Sequence, residues 1–171
     1  TQVGTWGDGI RWGECWRLVA PATGANNVVA AYNNGGGVCK QFVRCTSWNG
    51  VDQTTPLGDL ASATADSVGP ATVNVTSPGD LIVDCAAIAT ITLTLSMGAD
   101  QTLIENTTST GGSLGAVAMS TELANSDPGT VTMSWTLSAR DYWLIGAVPI
   151  KASGGGVAGV PKTTKLALLG V

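Results

Sequence analysis

Apolar residues in this chain recur at every second position in short runs, and no segment holds the spacing of an amphipathic helix. Val73 and Val75 alternate with polar neighbours, as do Val131, Met133, Trp135 and Leu137; between Thr90 and Leu95, threonine alternates with isoleucine and leucine. Period two is the side-chain repeat of a strand with one face buried. Between the runs stand Pro21-Ala22-Thr23-Gly24, Asn33-Asn34-Gly35-Gly36-Gly37, Asn49-Gly50 and Ser77-Pro78-Gly79-Asp80, all chemically suited to reversals. The pattern predicts strands over residues 15–19, 27–32, 38–48, 72–76, 81–88, 90–95, 101–106, 115–121, 130–137 and 142–151, roughly one every ten residues. Residues 1–13, rich in Gly and Trp, read as a loop or an edge, and residues 60–69 as a loop. The expectation is an all-β chain folded as an antiparallel β-sandwich or jelly roll.

A chain of 171 residues suffices for one domain with an appendage. Its net charge of −4, with eight Lys and Arg and no basic run, argues against a nucleic-acid partner. No apolar run approaches the roughly 20 residues of a membrane helix, so membrane insertion is not expected. The first residue, Thr1, is not Met, which reads as a processed or truncated amino terminus. Four cysteines, Cys15, Cys39, Cys45 and Cys85, show no Cys-x-x-Cys spacing and have no histidine to help hold zinc. They suit two disulfides in an oxidising compartment, or four buried thiols in a reducing one. On one extended strand Cys39 and Cys45 would stand about 20 Å apart, too far to bond, leaving Cys15 and Cys85 as their partners in an unassigned order. Asn74-Val75-Thr76 and Asn106-Thr107-Thr108 are glycosylation sequons, which makes Asn74 and Asn106 candidate acceptors in a secreted protein.

Organisation changes after residue 152. Residues 1–152 read as the sandwich domain, 153–162 as a Gly/Pro linker, and 163–171 as an extra strand. In that tail Leu166 and Leu168 share one face, and Ala167, Leu169 and Val171 the other. A strand apolar on both faces is normally buried. Covering Leu166, Leu168, Leu169 and Val171 would contribute on the order of 6–12 kcal/mol, at roughly 1.5–3 per side chain. Two destinations are open: the chain's own core, or the core of a neighbouring subunit.

The stretches Trp16-Arg17-Leu18-Val19-Ala20-Pro21-Ala22-Thr23-Gly24 and Trp48-Asn49-Gly50-Val51-Asp52-Gln53-Thr54-Thr55-Pro56-Leu57 resemble a jelly-roll family of bacterial secreted and phage-associated proteins. Its GVDQTTP motif stands at residues 50–56. Later stretches continue the likeness: Ser77-Pro78-Gly79-Asp80-Leu81-Ile82-Val83-Asp84, Met133-Ser134-Trp135-Thr136-Leu137 and Trp143-Leu144-Ile145-Gly146-Ala147-Val148. The resemblance runs over residues 14–152 and implies a concanavalin-like sandwich with no catalytic residues to carry over. Domains of this kind begin with an apolar strand ahead of the first matched region. Residues 1–14 contain none, and the tail has the character of that strand moved to the other end. It would then return to its own domain, or enter the next subunit as a donor strand.

The absence of histidine removes His-based triads and most catalytic zinc sites, and no enzymatic activity is expected. Neither a cofactor nor a metal is expected, although Asp8, Asp52 and Asp59 lie in loops where calcium would be bound. Of the six tryptophans, Trp48, Trp135 and Trp143 fit core positions, while Trp6 and Trp12 are candidates for a subunit interface or a sugar contact. The reading preferred on sequence is a non-enzymatic subunit of an extracellular filament, a homopolymer assembled head to tail by C-terminal donor-strand exchange. The alternatives are a carbohydrate-binding module and a phage virion surface or decoration protein.

Overall fold

The structure, a computed structural model, describes residues 1–21, 28–31, 41–90, 93–108, 115–125 and 129–155. These hold ten strands: β1 (Gln2–Gly7), β2 (Trp12–Trp16), β3 (Ala61–Ser67), β4 (Ala71–Thr76), β5 (Leu81–Ile88), β6 (Leu95–Met97), β7 (Thr102–Thr108), β8 (Ala116–Leu123), β9 (Thr130–Leu137) and β10 (Asp141–Ile150). All ladders are antiparallel. A five-stranded sheet, ordered β3-β10-β5-β8-β7, faces a three-stranded sheet, β4-β9-β6, and β1 and β2 form a separate hairpin. No α-helix occurs among the described residues.

Side-chain parity decides what each strand contributes. In β5, Ile82, Ala86 and Ile88 are buried between the sheets, while Leu81, Val83, Cys85 and Ala87 point to the other face. Ile145 and Ala147 of β10, Met133 and Trp135 of β9, and Val73 and Val75 of β4 complete the inter-sheet core. At about 1.5–3 kcal/mol each, the largest of these side chains dominate the stabilisation. The turn from β4 to β5 is closed by Gly79 at φ 76°, which an L-residue with a Cβ would strain to adopt.

The five-stranded sheet is covered on its outward face too. β1 rests on β3 and β10, and β2 on β10. The Trp6 indole lies against Gly146 of β10, where a Cβ would stand 2.6 Å from Trp6 Cε2. Farther along, Trp48, Val51 and Leu57 pack with Ile150, Leu81 and Val83. Residues 50–58, which carry the GVDQTTP motif, run beside the end of β10. Val51 bridges to Ala152 and Leu57 to Ile150, and Gly58 N–H donates to Pro149 C=O at 2.9 Å. Between those pairs, Asp52 Oδ1 accepts from Thr54 N and Thr55 N, both at 2.7 Å, folding the motif's centre into a tight turn. Pro149 is tolerated in β10 because β3 has ended two residues earlier, at Ala147 opposite Ala61.

Several expectations are corrected. Residues 28–31 and 41–46 belong to no strand, so neither the strand expected over 27–32 nor the one over 38–48 forms in its described part. Residues 61–67, read as a loop, form β3: the small side chains of Ala-Ser-Ala-Thr-Ala-Asp-Ser hid a strand that β10 recruits. Residues 1–13 are largely the β1–β2 hairpin, reversed by Asp8-Gly9-Ile10-Arg11 with Gly9 at φ 87°. The strand expected over 90–95 is displaced, with only Leu95 of that stretch entering β6.

Candidate functional site

The sandwich is unequal, and its edges differ in consequence. β4 is paired with β9 on one side and has no ladder partner on the other among the described residues. Alternate residues of β4 therefore direct their N–H and C=O groups away from the sheet, ready to bond another strand. The other sheet ends on the same side with β3, since Val68-Gly69-Pro70 alone connects β3 to β4. The inner face of β3 carries the methyl groups of Ala61, Ala63 and Ala65, opposite Ala147, Ile145 and Trp143, and ends at Ser67, whose Oγ accepts from Trp143 Nε1 at 3.0 Å. Ala61 and Ala63 are half-buried and Ala65 is exposed. The three-stranded sheet thus ends in an edge that is open among the described residues, beside a row of alanines on the neighbouring sheet.

The hairpin divides its aromatic residues between two faces. Trp6 points inward, its indole held between Gly13 of β2 and Gly146 of β10, and its Nε1 is buried with no hydrogen-bond partner among the described residues. Trp12 and Trp16 point outward, 47% and 63% exposed, from the same face of β2. Trp16 Nε1 donates to Glu14 Oε2 at 2.8 Å, which fixes the tilt of that indole. At the turn, the Arg11 guanidinium lies 4.1 Å from the Tyr142 ring centroid and pairs with Asp8 at 3.0 Å. Trp48 is half-buried, and Trp135 and Trp143 are buried in the core.

Asp8 Oδ1 accepts from Ile10 N at 2.9 Å and Arg11 N at 2.7 Å, and these bonds hold the Asp8 carboxyl below its ordinary range. Asp52 is held down in the same way by Thr55 N and Thr54 N. Both carboxylates thus serve turns, and no cluster of metal-ligating residues occurs among the described residues.

No family model matches the chain, and neither a curated protein nor a solved structure does so. The residues alone therefore carry the functional argument.

Cys15, Cys45 and Cys85 are unbonded thiols in the structure, and Cys39 lies outside the described residues. Residues 41–46 are not extended as a strand, which removes the premise that kept Cys39 and Cys45 apart. Asn74 is exposed on β4, its Oδ1 accepting from Thr132 Oγ1 at 2.8 Å. Asn106 Nδ2, the atom a glycan would modify, donates to Leu95 C=O of β6 at 2.8 Å. Leu166, Leu168, Leu169 and Val171 lie outside the described residues, as does all of 156–171.

Sequence reasoning missed the polar cluster inside the sandwich. Asp84 is 1% exposed and shares parity with Ile82 and Ala86. Its Oδ1 accepts from Ser120 N at 2.7 Å and Ser120 Oγ at 2.9 Å, and its Oδ2 from Trp135 Nε1 at 2.7 Å and Gln101 Nε2 at 3.4 Å. Gln101 Oε1 in turn accepts from Gly98 N at 2.9 Å and Ser134 N at 3.1 Å, tying the β6–β7 turn to β9. Burial pushes the Asp84 carboxyl up to about 6, and the hydrogen bonds from Ser120, Trp135 and Gln101 pull against that rise. A carboxylate on the apolar-facing positions of a core strand was the available signal. Each donor is matched to an acceptor, so the arrangement fastens three strands rather than presenting a group to a substrate.

Proposed function

We propose that the protein is a non-enzymatic structural subunit of an extracellular assembly, built on a jelly-roll sandwich that accepts a strand from a neighbouring copy. The observation that carries this reading is the edge of β4, unpaired among the described residues, beside the alanine row of β3. The donor is the 163–171 segment, whose Leu166 and Leu168 would stand over Ala61 and Ala63, large residues over small. The glycosylation acceptors Asn74 and Asn106 and a secreted location belong to the same proposal. Size-exclusion chromatography with light scattering on the full chain tests it. The proposal expects concentration-dependent oligomers, which a deletion of 157–171 abolishes and an added 163–171 peptide competes. Ala63→Glu, placing a charge in the slot, should also abolish them. A full chain that stays monomeric at high concentration would sink the proposal.

A second reading rests on Trp12 and Trp16, whose exposed indoles share one face of β2 four positions apart, at about 3.3 Å per residue. Such a face stacks on sugar rings, and the module would bind glycans. Glycan-array binding lost in both Trp12→Ala and Trp16→Ala, with no change in oligomeric size, would select this reading over assembly.

A further inference from the structure

We infer that Cys15 and Cys85 form a disulfide that ties the β1–β2 hairpin to the outward face of the five-stranded sheet. The hairpin's position is fixed at three points along β10 and β3. Arg11 at the turn stacks on Tyr142, Trp6 fills the space over Gly146, and Gly4 sits against Leu60, where a Cβ would stand 2.6 Å from Leu60 Cδ2. Between the last two points, Cys15 pairs with Gly4 and follows Gly13 by two residues, on the inward face of β2. Cys85 is the β5 partner of Gly146, on the outward face of the sheet. β2 packs on β10, so Cys15 faces the sheet from the hairpin and Cys85 faces outward from β5, the strand beside β10. Burial and then the Asp84 carboxylate raise the Cys85 thiol, Arg44 lowers it, and Cys15 adds a smaller rise.

Cys45 approaches from the other side. One register row crosses the outward face as Gly146, Cys85, Met119 and Glu105, from β10 to β7. Arg44, beside Cys45, pairs with Glu105 at 3.0 Å, at the far end of that row with Met119 intervening. The assignment couples Cys15 to Cys85, which differs from the pairing that an extended 38–48 strand would impose.

Formation needs a disulfide oxidant, either oxidised glutathione or an oxidoreductase's own disulfide. Cys15 thiolate attacks one sulfur of the oxidant and expels the other as a thiolate, leaving a mixed disulfide. Cys85 thiolate then attacks Cys15 Sγ and expels the second. Two S–H bonds are lost and one S–S bond is made, and the oxidant takes up the two electrons and two protons as a pair of thiols. Burial pushes the Cys85 thiol up to about 12, which leaves Cys15 the readier of the two to open the exchange.

The test is to refold the full chain in a glutathione redox buffer, block free thiols, and map peptides without reduction. The expected result is a Cys15–Cys85 linked peptide, lighter by two hydrogens than its reduced halves. The link should persist in Cys45→Ser, and the melting midpoint should fall when the chain is reduced. A Cys85 found linked to Cys45 or Cys39, or alkylated as a free thiol after the oxidised chain is unfolded, overturns the inference. Because Cys45→Ser leaves both proposed partners in place, a misfolding Cys85→Ser variant cannot obscure the answer.

Discussion

In β10 eight residues in succession, Trp143 to Ile150, are buried, whereas β9 buries Val131, Met133, Trp135 and Leu137 and exposes Thr130, Thr132 and Thr136. The difference follows from what covers each sheet. The three-stranded sheet packs on one face and shows water a ladder of hydroxyls, with Thr76 bonded to Thr130 at 2.7 Å and Asn74 to Thr132 at 2.8 Å. The five-stranded sheet is clasped from behind by the hairpin and by residues 48–57, so its central strands meet apolar surroundings on both sides. A one-faced sheet tolerates polar change on its free face; a two-faced sheet tolerates it nowhere near its centre.

The harshest test of this contrast is Trp135→Ala. It removes the largest buried side chain between the sheets and one of the donors to Asp84, and should cost about 3–5 kcal/mol in urea unfolding. Next comes Asp84 itself. Its folded value near 6 lies above the unfolded 3.8, so the native state binds more protons between those limits. Stability should therefore be fullest below about pH 4 and be lost as pH rises through 6, by on the order of 3 kcal/mol. Asp84→Asn should flatten this dependence in thermal melts taken from pH 4 to 8, and a wild-type profile rising across that range would refute the assignment. Gly146→Val drives a side chain into the Trp6 indole and should cost about 1–3 kcal/mol. Its signature is a red shift in tryptophan emission as the hairpin lifts. Smallest is Thr132→Ala on the free face of β9, expected below about 1 kcal/mol. If it matched Gly146→Val, the two sheets would not differ as described.

β4 and β9, which alternate, fall where period two and the turn residues place them, and the more continuous apolar runs of β5, β8 and β10 fall within two residues of their expected bounds; of the alternating run over 90–95, Leu95 opens β6. β3 was not, because alanine, serine and threonine give little hydrophobic contrast and its partner β10 lies about half the chain away. The opposite error occurred at Val28 and Val29, which read as a strand yet are exposed and unpaired in any ladder. Trp6 and Trp12 were equally prominent in the sequence, and only the glycines at 13 and 146 decide that one goes inward. The alanine row and the edge of β4 required tertiary placement, since which strand ends a sheet has no sequence signature.

The central position of β10 also bears on the order in which the protein is made. β3 has β10 as its sole ladder partner among the described residues, and residues 51–58 lean on the end of the same strand. A ribosome adding roughly 5–20 residues per second delivers residues 61–67 some seconds before residues 141–150. Throughout that interval β3 has nothing to pair with, the β5 edge is bare, and the platform for Trp6 does not exist. Hairpins β7–β8 and β1–β2 can form early from local contacts; the sheet itself closes only when β10 arrives between β3 and β5. A nascent chain stalled before residue 141 should therefore remain a chaperone client, and one released after residue 155 from the exit tunnel should not.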